Sequence, residues 1–389
     1  MLPFQQDFLA RRAAHCVDYA ALPVTTPCYV LDVDLLKLNA EFIGQIAHAA
    51  GVKILLALKA FAAFSAFPAI KSNYAGTCAS SPDEARLGSE KFGGETHIFS
   101  PAFRENEIAD YRRRCSHFSF NSLRQFHQFR GALADRSLGL RVNPEQREVA
   151  TALYDPCRAG SRLGITAANL AGADLTGVAG LHFHNLCECN ADALARTVAA
   201  VEQKFGDLLP KMEWLNCGGG HHLTRDDYDV ELLIATLRRW REKYPATLYL
   251  EPGEATALNG GVLVTEVVDV FANGGGVAIV DASAATQMPD VLEMPYRPQI
   301  IGADLPDAQR HTYRLGGPSC LAGDEIGAYS FAEELRPGRR LVLTDMAHYS
   351  IVKNNTFNGI RLPSIYAYEN GAARLVKKFG YEDFVGRLS

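Results

Sequence analysis

Lys59 ends the apolar run Ile54-Leu55-Leu56-Ala57-Leu58. A strand buried on both faces reads as such a run, and an amine at its end is a poor choice for packing. Its head can snorkel into solvent, or a desolvated amine can attack a carbonyl and hold it as a Schiff base. Other polar residues close apolar runs further along the chain: Ser80-Ser81, His184, Gly218-Gly219-Gly220 and Glu251. Each has a plain reading, as a core histidine, a flexible loop or a structural ion pair. Each also has a chemical one. Glycines after a strand bare backbone N–H groups and let a phosphate come close. A carboxylate can hold a protonated pyridine nitrogen, which makes the ring an electron sink, and a flat imidazole can stack on that ring. An amine for a Schiff base, glycines for a phosphate and a carboxylate for a ring nitrogen together describe pyridoxal 5'-phosphate (PLP).

The elements that must position these residues repeat. From about residue 27 to 255, short β-rich runs alternate with helical stretches. The predicted strands are Leu55–Lys59, Gly76–Ser80, His97–Ser100, His117–Phe120, Leu138–Val142, Gly180–His184, Trp214–Cys217 and Thr247–Glu251. Eight βα repeats predict an α/β fold, a (β/α)8 barrel whose active site lies at the C-terminal ends of the strands. Past Gly260 the texture changes to Val262–Val270, Gly276–Asp281, Thr312–Leu315 and Arg340–Thr344, strand-like runs between Gly/Pro turns with little helix. This predicts a second, all-β domain, a sandwich or small barrel. The expected division is a barrel over 27–258 and a β domain from 1–26 plus 259–389, with Pro23 and Pro27 breaking the chain between them.

Composition narrows the function. A chain of 389 residues with net charge -5 and no dense Lys/Arg stripe is not expected to bind nucleic acid, and Arg112-Arg113-Arg114 reads as a solvated helix face. No apolar stretch reaches the ~20 residues of a membrane helix, and Met1 to Ala14 lacks the apolar core of a signal peptide. The nine cysteines are odd in number and lack zinc spacing, the Cys187/Cys189 pair included, so free thiols and a cytoplasmic location are expected.

Over nearly its whole length the chain resembles the barrel-plus-β-domain PLP decarboxylases, which include the ornithine and diaminopimelate enzymes. The resemblance implies that Lys59 is the Schiff-base lysine, that His184 in Leu181-His182-Phe183-His184 stacks on the ring, and that Gly218, Gly219 and Gly220 hold phosphate. Glu251 in Glu251-Pro252-Gly253 would face the pyridinium nitrogen, and Tyr349, before Thr356-Phe357-Asn358-Gly359, would lie close to the cofactor. Cys320 in Gly316-Gly317-Pro318-Ser319-Cys320 matches a cysteine that enters the site from a partner subunit, which implies a homodimer with shared sites.

Two positions depart from the family pattern: Glu254 stands where an arginine commonly follows Glu-Pro-Gly, and Asn185-Leu186-Cys187-Glu188 replaces a Gly-Ser pair. Both departures resemble one subgroup, the carboxynorspermidine (carboxyspermidine) decarboxylases. So do Thr26 to Asp32, Ile54 to Phe61, Ala79-Ser80-Ser81, Asn216 to His222, Met288 to Pro298 and Leu343 to Tyr349. That subgroup implies decarboxylation of a carboxypolyamine, with Cys320 as general acid to the α-carbon. Acidic residues should then line the path of the cationic tail, Asp324 first and Glu188 second, with Glu254 and Asp290 behind them. His221 or His222 should support the phosphate loop. The competing reading is decarboxylation of another basic amino acid, diaminopimelate, ornithine or arginine; Cys320-Leu321-Ala322 departs from the Cys-Glu-Ser of diaminopimelate enzymes. The cysteine loop argues against racemisation, and Lys59, Glu251 and Cys320 together argue against a catalytically silent PLP carrier.

Overall fold

The computed structural model describes residues 1–389. Its strands, in chain order, are β1 (Cys28–Asp32), β2 (Lys53–Ala57), β3 (Gly76–Ala79), β4 (Glu95–Ser100), β5 (His117–Phe120), β6 (Ser137–Arg141), β7 (Gly180–His182), β8 (Trp214–Asn216) and β9 (Thr247–Leu250). After them come β10 (Gly261–Ala272), β11 (Gly276–Val280), β12 (Ala303–Asp304), β13 (His311–Gly316), β14 (Glu325–Phe331), β15 (Arg340–Leu343), β16 (Ser364–Glu369) and β17 (Ala372–Lys377). Two compact units result. The first holds Met1–Arg12, Leu38–Ala60 and Phe67–Thr256; the second holds Ala13–Lys37, Phe61–Ala66 and Ala257–Ser389.

In the first unit, β2 to β9 close into an eight-stranded barrel, each strand parallel to the next and β2 paired with β9. All eight predicted barrel strands are present, each shifted by no more than a few residues. Side chains fill the interior, as the fold requires. A Cβ on Gly139 would come within 2.5 Å of the Trp214 ring and one on Gly180 within 2.0 Å, so these two glycines make the room that the indole occupies. At the N-terminal end of the barrel the His97 and His117 rings stack at 3.9 Å, with Tyr249 against His97 at 4.7 Å.

The second unit is built on one sheet with strand order β12-β14-β13-β11-β10-β1-β16-β17, and β15 pairs with β10. β1 is central and wholly buried, antiparallel to β10 and parallel to β16. Residues 28–32 therefore belong to the sheet, although their position just ahead of the βα repeats had assigned them to the barrel. Met1–Arg12 goes the other way: the Phe8 ring stacks on Phe42 at 4.1 Å, and Gln5 Nε2 donates to the Tyr228 carbonyl at 3.3 Å. The four strand runs expected past Gly260 are found, joined by β12, β14, β16 and β17. The main core of this unit gathers Tyr29, Leu263, Val280, Met288, Leu315, Tyr329 and Phe331.

Candidate active site

β2 stops at Ala57, and Leu58 turns back to donate its N–H to the Cys78 carbonyl at 3.1 Å. Lys59 follows on the turn with an exposed side chain, so burial is not what marks it. Its setting does. Nζ lies 3.3 Å from His184 Nε2, while His184 Nδ1 accepts the Gly219 N–H at 2.8 Å. A backbone N–H only donates, so Nδ1 carries the lone pair and the neutral ring carries its hydrogen on Nε2. Burial, then the charges of Lys59 and Arg141, hold His184 well below the usual histidine range and hence neutral. Arg141 fixes the backbone of this element: its guanidinium donates to the His184 carbonyl at 2.8 Å and lies 4.3 Å from the centre of the Phe99 ring. Burial pushes the Arg141 guanidinium down to about 10.

Glu251 follows β9, with a side chain 12% exposed. Asn216 Nδ2 donates to Oε1 at 2.7 Å, and His182 Nε2 lies 3.5 Å from Oε2. Burial alone would raise this carboxyl, yet His182 and the Asn216 hydrogen bond hold it down at about 2. A buried carboxylate kept ionised by polar neighbours suits a protonated ring nitrogen. Cys78, at the end of β3, is coupled to both Glu251 and Lys59, and burial pushes its thiol up. Ser81 caps the next helix by accepting the Glu84 N–H at 3.2 Å, and Glu84 accepts the Ser80 N–H in return at 2.7 Å. The Ser80-Ser81 pair is thus a helix cap.

The glycine triplet is a tightly packed loop. Gly218 and Gly220 have φ of +67° and +84°, and a Cβ at Gly220 would fall 2.1 Å from the Leu186 carbonyl oxygen. Its N–H groups are not all bare, as the sequence had suggested: Gly218 donates to Asn216 Oδ1 at 2.8 Å, and Gly219 donates to His184. Asn216 therefore ties the Glu251 carboxylate to this loop. Beside it, polar atoms of Glu188, His222 and Glu254 gather within 4.8 Å of one another. Glu188 holds a left-handed φ of +52°, the kind of strain that collects at functional sites.

The second unit carries the remaining expected residues. Cys320 is exposed, and its thiol and its backbone N–H both donate to Asn358 Oδ1 at 3.0 Å. Asp324 is buried, and its carboxylate accepts Ser283 Oγ–H at 2.9 Å, Ala285 N–H at 3.2 Å and Ser319 N–H at 3.1 Å. With these bonds it orders the loop that presents Cys320. Asp290 pairs with Lys353, as does Glu293 at 2.6 Å. Tyr349 precedes the short helix Ser350–Lys353 with φ of +53°, a rare conformation for an aromatic residue.

Within the barrel unit, Lys59, His184, Gly219, Asn216 and Glu251 form one connected string, and their chemistry fits PLP. Arg141, Asn216, His182 and Asn358 were not singled out in the sequence. Arg141 and Asn216 each end an apolar run, the signal that had marked Lys59.

A family described as pyridoxal-dependent decarboxylase, C-terminal sheet domain, matches residues 28–347. A carboxyaminopropylagmatine decarboxylase of Synechocystis is 44% identical over 368 residues, 93% of this chain and 95% of that protein. A carboxynorspermidine/carboxyspermidine decarboxylase of Campylobacter jejuni is 40% identical over 373 residues, 93% of this chain and 98% of that protein. The crystal structure of C. jejuni carboxynorspermidine decarboxylase complexed with norspermidine superposes with a TM-score of 0.88 at 39% identity, covering 94% of this chain and 100% of the other. Diaminopimelate decarboxylase of Helicobacter pylori shares the fold, with a TM-score of 0.81 at 18% identity over 94% and 97% of the two chains. The chain belongs to the pyridoxal-dependent decarboxylases and is a homologue of the carboxynorspermidine/carboxyspermidine enzymes.

Proposed function

We propose that this enzyme decarboxylates carboxynorspermidine or carboxyspermidine, giving norspermidine or spermidine and CO2, with PLP held at Lys59. The observation that carries the reading is the string Lys59–His184–Gly219 and Asn216–Glu251, which joins an amine, a neutral imidazole and a buried ionised carboxylate. Bound there, the cofactor would supply an electron sink for the pair left by the departing carboxylate. The residues divide the remaining work. Lys59 offers the amine. His184, fixed in its Nε2–H tautomer, presents a neutral flat ring. Glu251 keeps a negative charge where a ring-nitrogen proton needs one. Cys320 Sγ–H gives the α-carbon the proton that replaces CO2; its exposure on this chain suits delivery to a second copy, as a homodimer with shared sites requires. All nine cysteines are free, which fits the cytoplasm.

The 44% identical Synechocystis relative supports a second substrate of the same class, carboxyaminopropylagmatine, whose tail ends in a guanidine rather than an amine. CO2 release from both carboxypolyamines, carboxyaminopropylagmatine, diaminopimelate, ornithine and arginine separates these readings. The proposal requires the highest kcat/KM on a carboxypolyamine; a preference for any of the last three overturns it.

A further inference from the structure

The phosphate loop holds too few donors and no fixed cation. Gly218 and Gly219 have spent their N–H groups on Asn216 and His184, and His222 N–H goes to the Cys189 carbonyl at 3.3 Å. Only the Gly220 and His221 N–H groups in this stretch find no acceptor in the protein. The nearby cations are committed elsewhere. Lys59 faces His184, Arg141 is directed at the His184 carbonyl, and Arg225 is held by Asp227 and the Glu188 carbonyl.

His222 differs from its neighbours. It is 6% exposed and its Nδ1 has no hydrogen-bond partner, while Nε2 lies 3.3 Å from Glu254 Oε1. His221 is also buried, has no such carboxylate contact, and is pushed down to about 4 by burial. The segment bearing His222 is pinned as well: Cys189 N–H bonds the Gly220 carbonyl, and His221 bridges to Cys189. The Glu254 carboxylate at one ring nitrogen fixes the ring and leaves the other ring nitrogen for a second partner.

We infer that His222, oriented by Glu254, supplies the side-chain contact that holds the phosphate monoester of the cofactor at the Gly218–Gly220 loop. The inference rests on the PLP reading above, and it gives Glu254 a purpose that direct contact with a phosphate would deny it. Glu254 serves as a positioning residue, and His222 as the contact.

The test uses the full chain stripped of cofactor and chelator-dialysed, titrated with PLP and with pyridoxal, which lacks the phosphate. A charge-assisted hydrogen bond corresponds to about a ten- to hundredfold change in affinity. His222→Gln should lower the ratio of PLP to pyridoxal affinity by about that much, with pyridoxal binding unchanged. Glu254→Gln should lower the same ratio by a smaller factor. An unchanged ratio in a folded His222→Gln protein overturns the inference, as does an equal loss for both ligands. Should His222→Gln fail to fold, an unchanged ratio in Glu254→Gln overturns it instead. A wild-type preference for PLP that vanishes on chelation, and returns with a divalent cation, would assign the phosphate contact to a metal and refute His222. If wild type binds neither ligand, the cofactor reading fails rather than this one.

Discussion

Asn216→Ala deletes the amide that joins the two halves of the proposed cofactor site. Its Nδ2 donates to Glu251 Oε1 at 2.7 Å and its Oδ1 accepts the Gly218 N–H at 2.8 Å. The first bond goes to a charged group and contributes ~1.5–3 kcal/mol; the second is neutral and contributes ~0.5–1.5 kcal/mol. Their combined loss, ~2–4.5 kcal/mol, should lower Tm by roughly 2–6 °C in a chain of this size. The lost charged bond should also raise the Glu251 carboxyl by about 1 to 2 pH units from its value near 2, which leaves it ionised at neutral pH. The folded value lies below the free one of 4.5, so the stability that ionised Glu251 contributes is complete above pH 4.5 and is lost as pH falls towards 2. The Tm deficit of the variant should therefore stay constant between pH 5.5 and pH 8, approximate bounds set by that titration. Scanning calorimetry at several pH values, together with cofactor titration, measures both effects. A variant with unchanged Tm and cofactor affinity would refute Asn216 as the tie between Glu251 and the glycine loop.

His117 is pushed down to about 3, by burial first and then by His97, against an ordinary value of 6.5. The unfolded chain thus takes up its proton first as pH falls below 6.5, costing at most ~1.4 kcal/mol per pH unit. His117→Phe keeps a ring against His97 and should flatten the fall in Tm between about pH 7 and pH 5, whereas an unaltered slope would contradict the assignment. Asp324→Asn should lower Tm and depress turnover of every substrate alike, because the carboxylate orders the Cys320 loop. A rise in KM confined to the triamine acid, with Tm unchanged, would return Asp324 to the substrate's tail. Equal mixing of Lys59→Ala and Cys320→Ala chains should restore about a quarter of wild-type activity, since half the dimers then carry one intact shared site. No recovery on mixing would mean that each site is built from one chain.

The barrel was legible because each of its strands is a short apolar run with a helix-forming stretch after it, and parallel strands buried on both faces leave that mark. The place of β1 was not legible. Cys28–Asp32 reads as a strand, but its partners β10 and β16 lie more than two hundred residues away, and no local pattern carries such a pairing. Met1–Arg12 hid for a similar reason, because its anchor is the Phe8–Phe42 stack and not its own periodicity. In the site, Lys59, His184, Gly218–Gly220 and Glu251 stood out as polar or glycine ends to apolar runs. Arg141 and Asn216 obey the same rule and could have been found by it. Asp324 was expected on the path of the substrate's tail, and no local pattern shows that its oxygens also serve a buried hydroxyl and two backbone N–H groups. Asn358 was hidden because its contact with Cys320 spans 38 residues.

Everything assigned to the site turns on Lys59 as the cofactor's anchor. Borohydride reduction of the protein loaded with PLP, followed by peptide mass mapping, tests that anchor directly. The account predicts one pyridoxyl group per chain, on the peptide carrying Lys59, and none in Lys59→Ala. A pyridoxyl group on another lysine, or none in wild type, would contradict it.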